Sequence, residues 1–460
     1  MPTPYLFYNF VVLRIPNLNL LMRNLKSNIY FKLGTIVVLT LLLLIPASMV
    51  RSLIREREWT QQDAIEEVSG KWALGQTVTG PYLSIPYDRY VKQFSEKDST
   101  NIIVKIRDYI HVLPEKLEIN GSINPEKRYR GIYEVVVYDS ELMLSGHFRS
   151  IDLKELDILP QNIHFDKTKL NLGVSDLKGI EKQIRLHWQN ETLDFNSGVA
   201  NNDLVSQGIN AALTRFNEGT LNAFDLTINL KGSQYLQFLP LGKTTDVNIQ
   251  SQWATPSFDG AYLPDSRNIS EKGFEAHWNI LHLNRNYPQI WTGSKYDPDH
   301  SRFGTHLLLP VDRYKKSDRV AKYAILFLGL TFLVFFFVEL LKKVFIHPIQ
   351  YILVGLALVV FYTLLLAFSE HISFNSSYLT ATILTLSIVP LYTYAILKSK
   401  TVAGLVLGIL LILYLFIFTI LQLEDYALLI GSVGIFIILS LVMYISRKID
   451  WYDLYLEKSN

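Results

Sequence analysis

Six apolar segments, each about as long as a membrane is thick, constrain the fold of this chain more than any other feature. An α-helix rises about 1.5 Å per residue, so about 20 apolar residues cross a hydrocarbon core of roughly 30 Å. The six segments are residues 33–50, 320–341, 349–368, 377–397, 401–423 and 426–446. They predict six transmembrane helices, and the short links between the last five predict a compact bundle.

The distribution of lysine and arginine around these segments predicts their orientation. Cytoplasmic loops of membrane proteins carry an excess of both residues. Basic residues precede the first segment and follow the second, fourth and sixth: Arg14, Arg23, Lys26, Lys32, Lys342, Lys343, Lys398, Lys400, Arg447 and Lys448. The loops on the other side carry acidic residues instead. We therefore expect residues 1–32 and the tail 447–460 in the cytoplasm, and residues 51–319 outside it.

The beginning of the chain has two further features. Residues 5–13 are apolar but too short to span a membrane. The residues from Met22 onward resemble the usual N-terminus of a membrane-anchored protein. We expect translation to begin at Met22, with residues 1–21 as an extension. A cleaved signal peptide is the alternative to an anchoring first helix, because basic residues precede the apolar segment. The helical pattern continues through residues 51–70, which favours a retained anchor.

Residues 51–319 differ from the rest of the chain because apolar and polar residues alternate there over short runs. Such alternation predicts half-buried strands. The runs are residues 102–113, 116–123, 131–138, 142–148, 169–174, 183–188, 224–230, 245–253 and 274–280. We expect an α+β domain of antiparallel sheets in one or two lobes, inserted between the first and second transmembrane helices. Residues 205–216 are predicted to be helical.

Composition and motifs exclude several functions. The chain has no cysteine, which rules out disulfides, thiolate metal sites and cysteine nucleophiles. A formal net charge of +2 indicates no nucleic-acid partner. The run Gly242-Lys243-Thr244 ends like a phosphate-binding loop, but Gln237 stands where that loop needs its first glycine. We therefore predict a protein without enzymatic activity, cofactor or bound metal.

Two groups of polar residues at the ends of the predicted helices are candidate sites. Glu339, His347 and Gln350 are expected together at the cytoplasmic face, where they would cap the hairpin between the second and third helices. The candidates at the opposite face are Glu370, His371, Gln422, Glu424 and Asp425. The second group would dock the extracytoplasmic domain or cap helix ends. A divalent-cation or proton site is one alternative, and plain solvated loops are another.

Several longer motifs resemble those of the CreD family of inner-membrane proteins. Landmarks of the polar region are Gly80-Pro81, Arg130-Gly131-Ile132-Tyr133 and residues 273–278. The membrane segments add His347-Pro348-Ile349-Gln350-Tyr351, Ser369-Glu370-His371 and residues 421–425. The similarity covers essentially everything after Met22.

This resemblance implies a location and a pathway. It places the chain in the bacterial inner membrane with its large domain in the periplasm, and it links the chain to envelope integrity, envelope stress and the β-lactam response. It implies no catalytic residues. Our leading hypothesis is a non-enzymatic protein, embedded in the lipid bilayer, whose periplasmic domain binds an envelope protein or peptidoglycan. The runner-up is a membrane-embedded enzyme or small-solute carrier that uses the loop carboxylates and His371. The sequence predicts no particular oligomeric state.

Overall fold

The computed structural model describes residues 29–95, 100–149, 156, 158–214, 221–309, 313–342, 344–423 and 426–447. Contacts divide the chain into two compact units. The first, which we call the helical unit, comprises Met1–Trp59 with Val311–Asn460. The second, the β-rich unit, comprises Thr60–Pro310.

The helical unit is built from long apolar helices. In the described residues the helices of the chain are α1 (Ile29–Trp72), α2 (Arg313–Lys322), α3 (Ala324–Leu341), α4 (Pro348–Ser369), α5 (Phe374–Leu397), α6 (Lys400–Gln422) and α7 (Ala427–Ser446). With α2 and α3 counted as one span, six helices are long and apolar enough to cross a membrane. This finding confirms that six helices are long and apolar enough to span a membrane, as the sequence predicted. The predicted continuation of the first helix beyond residue 51 is also confirmed, because α1 extends to Trp72.

Aromatic side chains form the centre of the helical unit. Phe327 of α3, Phe361 of α4 and Tyr414 of α6 are almost fully buried. The ring centroid of Tyr414 lies 4.6 Å from that of Phe327 and 4.7 Å from that of Phe361. Tilted aromatic contacts at such distances are favourable beyond the burial of surface alone. The α5 helix joins this centre through Tyr378, whose hydroxyl donates to the carbonyl of Tyr414 at 2.8 Å.

The β-rich unit contains long strands that alternate with short ones. They are β1 (Gln76–Ser95), β2 (Thr100–Val112), β3 (Lys116–Arg130), β4 (Tyr133–Phe148), β5 (Lys169–Val174), β6 (Arg185–Trp188), β7 (Glu191–Asp194), β8 (Asn196–Ser197), β9 (Gly208–Ala212), β10 (Asn222–Ser233), β11 (Tyr235–Phe238), β12 (Thr244–Ser251), β13 (Pro256–Gly260), β14 (Ser266–Ser270), β15 (Gly273–Leu281), β16 (Ile290–Thr292) and β17 (Phe303–Leu307). The prediction of a large β-rich region is therefore confirmed.

These strands form two sheets. Sheet A has the order β13-β17-β11-β1-β5-β9-β8, and β2 pairs with β1 and with β16. Sheet B has the order β14-β15-β12-β3-β4-β10-β6-β7. The pairs β1–β11 and β3–β12 are parallel. The sheets are thus mixed, so the prediction of antiparallel sheets is wrong for these two pairs.

Alternation along the strands produces the core of the β-rich unit. In β10, Phe224, Leu226 and Ile228 are buried, while the intervening Asp225 and Thr227 are exposed. Side chains of a strand point alternately to its two faces, so one face of sheet B is apolar and the other is polar. Burial of each large apolar side chain contributes about 1.5–3 kcal/mol. The polar face remains available for interactions.

The predicted helix at residues 205–216 is wrong. Gly208–Ala212 forms β9, which pairs with β5 and β8. The amide of Asn210 donates to the carbonyl of Gly198 at 2.8 Å and fixes the adjoining segment. Alanine and leucine in this stretch favour a helix, but pairing with the buried strand β5 on one side and with β8 on the other outweighs that weak local preference.

Candidate functional site

Glu339 is a buried carboxylate at one end of the helical unit. Its side chain is only 4% exposed. Lys32 of α1 places its ammonium nitrogen 2.9 Å from Oε1, and the hydroxyl of Tyr351 donates to Oε2 at 3.1 Å. A buried carboxylate needs such partners because an unpaired charge is costly away from water. The contact therefore joins α1, α3 and α4.

His347 and Gln350 form a cap at the start of α4. The backbone N–H of His347 donates to Oε1 of Gln350 at 2.9 Å, and the N–H of Ile349 donates to Nδ1 of His347 at 3.3 Å. This reciprocal arrangement satisfies backbone donors that the first turn of a helix leaves free. His347 also lines a cavity of about 150 Å³ whose walls include Glu339. The structure thus brings the three predicted residues to one end of the helical unit, and Glu339 bonds to Lys32 and Tyr351.

Glu370 lies at the other end of α4, where cationic side chains surround it. Nε of Arg57 is 3.6 Å from its Oε1, and the hydroxyl of Tyr314 is 3.5 Å from the same atom. Arg313 donates to the carbonyl oxygens of Ser369 and Glu370, both at 3.1 Å. An arginine at this position satisfies the free carbonyls of the last helical turn. Glu370 therefore links the end of α4 to α1 and α2.

The other predicted members of this group are placed differently. His371 is exposed. Gln422 donates from Nε2 to Oδ1 of Asn375 at 3.0 Å, so its partner belongs to α5. Glu424 and Asp425 lie outside the described residues. Within the described part of the chain, no group of three histidine, aspartate or glutamate side chains is arranged to hold a metal ion.

Ser84, His111 and Asp203 form a polar network in the β-rich unit that was not predicted from the sequence, and Ser84 and His111 are buried in it. Nε2 of His111 is 2.9 Å from a carboxylate oxygen of Asp203, and Nδ1 is 3.3 Å from the hydroxyl of Ser84. Asn171 donates to the same hydroxyl at 3.0 Å. The residue types are those of a hydrolase triad, but Ser84 is 1% exposed in a strand paired on both sides. Because no substrate carbonyl can reach it there, the network serves to fix the segment around Asp203 to sheet A.

Asp88 is a second buried charge in the β-rich unit. The ammonium of Lys105 lies 2.7 Å from its Oδ2, and Nε2 of His164 lies 2.7 Å from the same oxygen. Arg107 is 3.2 Å from Oδ1. Hydrogen bonds from Lys105, and then from His164, hold the pKa of the Asp88 carboxyl well below its usual range. These contacts fix the outer part of the β1–β2 pair.

An open groove lies on the polar face of sheet B. Its volume is about 590 Å³, and it crosses β14, β15, β12, β3 and β4. The lining side chains that can form hydrogen bonds are Asn120, Ser122, Glu141, Asn248, Gln250, Ser266, Arg267, Asn268, Glu275 and His277. A second groove of about 350 Å³ shares Ser122, Gln250, Asn268 and Glu275 with the first, so the two are continuous.

The groove was not recognisable from sequence, because its residues come from five strands and only tertiary pairing brings them together. The register of β3 and β12 places Asn120 beside Asn248, and the amide of Asn248 donates to Oδ1 of Asn120 at 3.1 Å. The exposed Asn and Gln positions along a predicted strand were the only available signal. Side chains held on strands keep a more precise geometry than side chains on loops.

The architecture of the chain defines the class of protein to which it belongs. Six apolar spans together with a large β-rich region define a multi-pass membrane protein. Residues 28–452 match the family described as "Inner membrane protein CreD". The curated "Inner membrane protein CreD" of Escherichia coli (strain K12) is 34% identical over 444 residues, which cover 94% of this chain and 96% of that protein. The chain belongs to the CreD family of inner-membrane proteins.

Two solved structures show weak likenesses to this chain. An M1 zinc metallopeptidase from Deinococcus radiodurans aligns with 36% of this chain and 38% of its own length, at 8% identity and a TM-score of 0.18. A two-domain M1 zinc metallopeptidase aligns with 46% of this chain and 54% of its own, at 8% identity and a TM-score of 0.19. Likenesses at this level support no statement about zinc or peptidase activity.

Proposed function

We propose that this chain is a non-enzymatic protein of cell-envelope integrity and envelope-stress response. In this proposal the β-rich unit lies in the periplasm and binds an envelope component. The membership of the CreD family supports an envelope-associated membrane protein. The groove on sheet B is the observation that supports a binding role, because it is the largest polar concavity that we describe in the β-rich unit.

The lining of the groove favours a glycan as the ligand. Asn120, Asn248, Gln250 and Asn268 each present a donor and an acceptor from one amide. Neighbouring hydroxyls of a sugar ring also act as donor and acceptor, so one amide can bond two of them. The charged residues of the lining have both signs, Arg267 with Glu141 and Glu275, and give no strong preference for an anion or a cation.

The shape of the groove favours a chain-like ligand. The two continuous volumes of about 590 Å³ and 350 Å³ are open to solvent, unlike the enclosed pockets that bury a small molecule. A glycan strand of peptidoglycan has both the repeated hydroxyls and the length that such a groove accommodates. Of the phenylalanine, tyrosine and tryptophan residues in the described part of the chain, only Phe274 lines the two volumes, and it is 3% exposed, so we expect weak binding that depends on several contacts.

The alternative function, a membrane-embedded enzyme or carrier that uses the loop carboxylates, is less well supported. The carboxylate of Glu370 contacts Arg57 and Tyr314, while Arg313 donates to the backbone carbonyl of the same residue. A carboxylate held by an arginine of one helix and a tyrosine hydroxyl of another has the properties of a structural contact. A catalytic base or a transport site would need a carboxylate that can exchange protons or ligands.

Titration with soluble glycan strands released from peptidoglycan tests the proposal. The variant combines Asn248→Ala with Gln250→Ala, because both amides lie on β12 in the middle of the groove. Each lost hydrogen bond costs about 0.5–1.5 kcal/mol, so we expect binding to weaken roughly tenfold. Microscale thermophoresis of the purified full-length protein in detergent would measure the affinity for the glycan strands.

Asp225→Ala is the matched control, because Asp225 is exposed on β10 of the same sheet but does not line the groove. Its affinity should equal that of the unaltered protein. Equal affinities for all three proteins would exclude the groove as the binding site. If no glycan bound, and if another protein were crosslinked to position 268 in cells, the ligand of the groove would be a protein and not a glycan.

A further inference from the structure

We propose that the groove between α5 and α6 is a binding site for one glycerophospholipid of the surrounding bilayer. Its volume is about 470 Å³. In this site one acyl chain lies along the groove, and an ester oxygen of the lipid accepts a hydrogen bond from Thr382. The inference concerns the helical unit alone and does not depend on the proposed function of the β-rich unit.

The walls of the groove have the composition of a lipid-facing surface. Leu379 of α5 is 60% exposed, and Leu411 and Leu415 of α6 are 53% and 64% exposed. Phe418 adds an aromatic wall, and no charged residue lines the groove. In a chain that spans the membrane, large apolar side chains with this exposure contact hydrocarbon. An acyl chain is therefore the matching ligand for the length of the groove.

Thr382 supplies the polar feature that points to a specific ligand. Its side chain lines the groove and is only 7% exposed, but its hydroxyl has no hydrogen-bond partner. Thr380, Thr385 and Thr393 of the same helix each donate to the backbone carbonyl four residues earlier, at 2.8–2.9 Å. An unsatisfied hydroxyl in hydrocarbon is unfavourable. An acceptor on a bound molecule would satisfy it.

The position of Thr382 suits the ester region of a phospholipid. Polar residues mark one end of the groove, where Gln422 donates to Asn375 at 3.0 Å and Ser376 lies alongside. Thr382 is two turns further along α5, about 10 Å from Asn375 at 1.5 Å per residue. A polar headgroup region is roughly 5–8 Å deep on each side of the hydrocarbon core. The headgroup of the lipid would therefore lie at the polar end of the groove, and its ester would lie at Thr382. The acyl chain would lie along the apolar walls.

A second copy of the chain is a less suitable occupant. Close packing of two transmembrane helices requires small residues that let the backbones approach. The groove is instead lined by tyrosine, leucine and phenylalanine, with Ser376 and Thr382 as the small members. These bulky walls leave an elongated space between α5 and α6 that a flexible chain can fill.

Native mass spectrometry of the full-length protein tests the proposal. The protein is reconstituted in vesicles of phosphatidylethanolamine and phosphatidylglycerol, extracted, and washed with increasing detergent. We expect one phospholipid per chain to remain after most lipid is removed. Thr382→Val keeps the side-chain volume and removes the hydroxyl, so the retained fraction should fall about fivefold. Thr380→Val is the matched control and should retain lipid like the unaltered protein, because its hydroxyl already bonds to Ser376.

A second variant, Leu379→Trp, fills the groove without changing Thr382, and we expect it to lose the retained lipid as well. Equal retention by the unaltered protein, Thr382→Val and Leu379→Trp would overturn the proposal. A dimer linked through a cysteine introduced at position 411, with no retained lipid, would show that a second copy occupies the groove and would also overturn it.

Discussion

At the scale of single residues, the contact between Lys32 and Glu339 is asymmetric. Glu339 is 4% exposed, whereas the side chain of Lys32 is 26% exposed. Among the described residues, Lys32→Met therefore leaves the buried carboxylate with Tyr351 alone as a hydrogen-bond partner, and we expect a loss of about 3–5 kcal/mol of stability. Glu339→Gln leaves a lysine that can turn towards water, so its effect should be smaller. Thermal unfolding of the purified protein in detergent measures both.

The double variant, Lys32→Met with Glu339→Gln, is the control for this comparison. It removes both charges together, so its stability should exceed that of Lys32→Met alone. If Glu339→Gln proved the more damaging single change, burial would not explain the contact. The sequence predicted that Glu339 lies at a polar cluster, but helical spacing identifies only neighbours on one helix. Lys32 belongs to α1 and Tyr351 to α4, so neither could be assigned to Glu339 in advance.

At the scale of elements, Asp88 stabilises the outer part of the β1–β2 pair through its ion pairs. Beyond Ser84, β1 pairs with β2 but no longer with β5. The depressed pKa of Asp88 means that folding favours its charged form. Its stabilising effect is present above the ordinary carboxyl pKa of about 4 and is lost as the pH falls towards the lower folded value. Asp88→Asn should therefore lower the unfolding temperature at neutral pH by on the order of a few degrees.

The same difference should shrink as the pH is lowered below about 4, because the unaltered protein then progressively loses the contribution of Asp88. Thermal unfolding of both proteins at pH 7 and pH 3 measures this change. A difference that stayed constant with pH would mean that the substitution acts through packing. Asp166→Asn is a suitable control, because the neighbouring Asp166 forms no contact with Lys105, Arg107 or His164 among the ion pairs described above.

Strands were predictable where alternation was regular and missed where it was not. The predicted run at residues 224–230 lies within β10, where burial alternates from Asn222 to Lys231. β1 was missed because Pro81 and Pro86 interrupt it, and proline argues against a central strand. The parallel pairing of β1 with β11 joins segments more than 150 residues apart and has no local signature. The groove on sheet B depends on such long-range pairing, and so it could not be derived from the sequence.

At the scale of the whole molecule, the distribution of charge predicts the orientation of every span. Lysine and arginine follow the second, fourth and sixth apolar segments, while Glu370 and Glu424 mark the loops between. Cytoplasmic loops carry the basic excess, so reporter fusions at Ser99 and Asn375 should be active in the periplasm. Fusions at Lys343, Lys400 and Asn460 should be active only with a cytoplasmic reporter. Alkaline phosphatase and green fluorescent protein are fused at each position in turn. The first reports a periplasmic position and the second a cytoplasmic one, so each reporter is the expression control for the other. Because consecutive spans alternate in direction, a cytoplasmic signal at Ser99 would mean that every span has the opposite orientation. The β-rich unit could then not bind a periplasmic ligand.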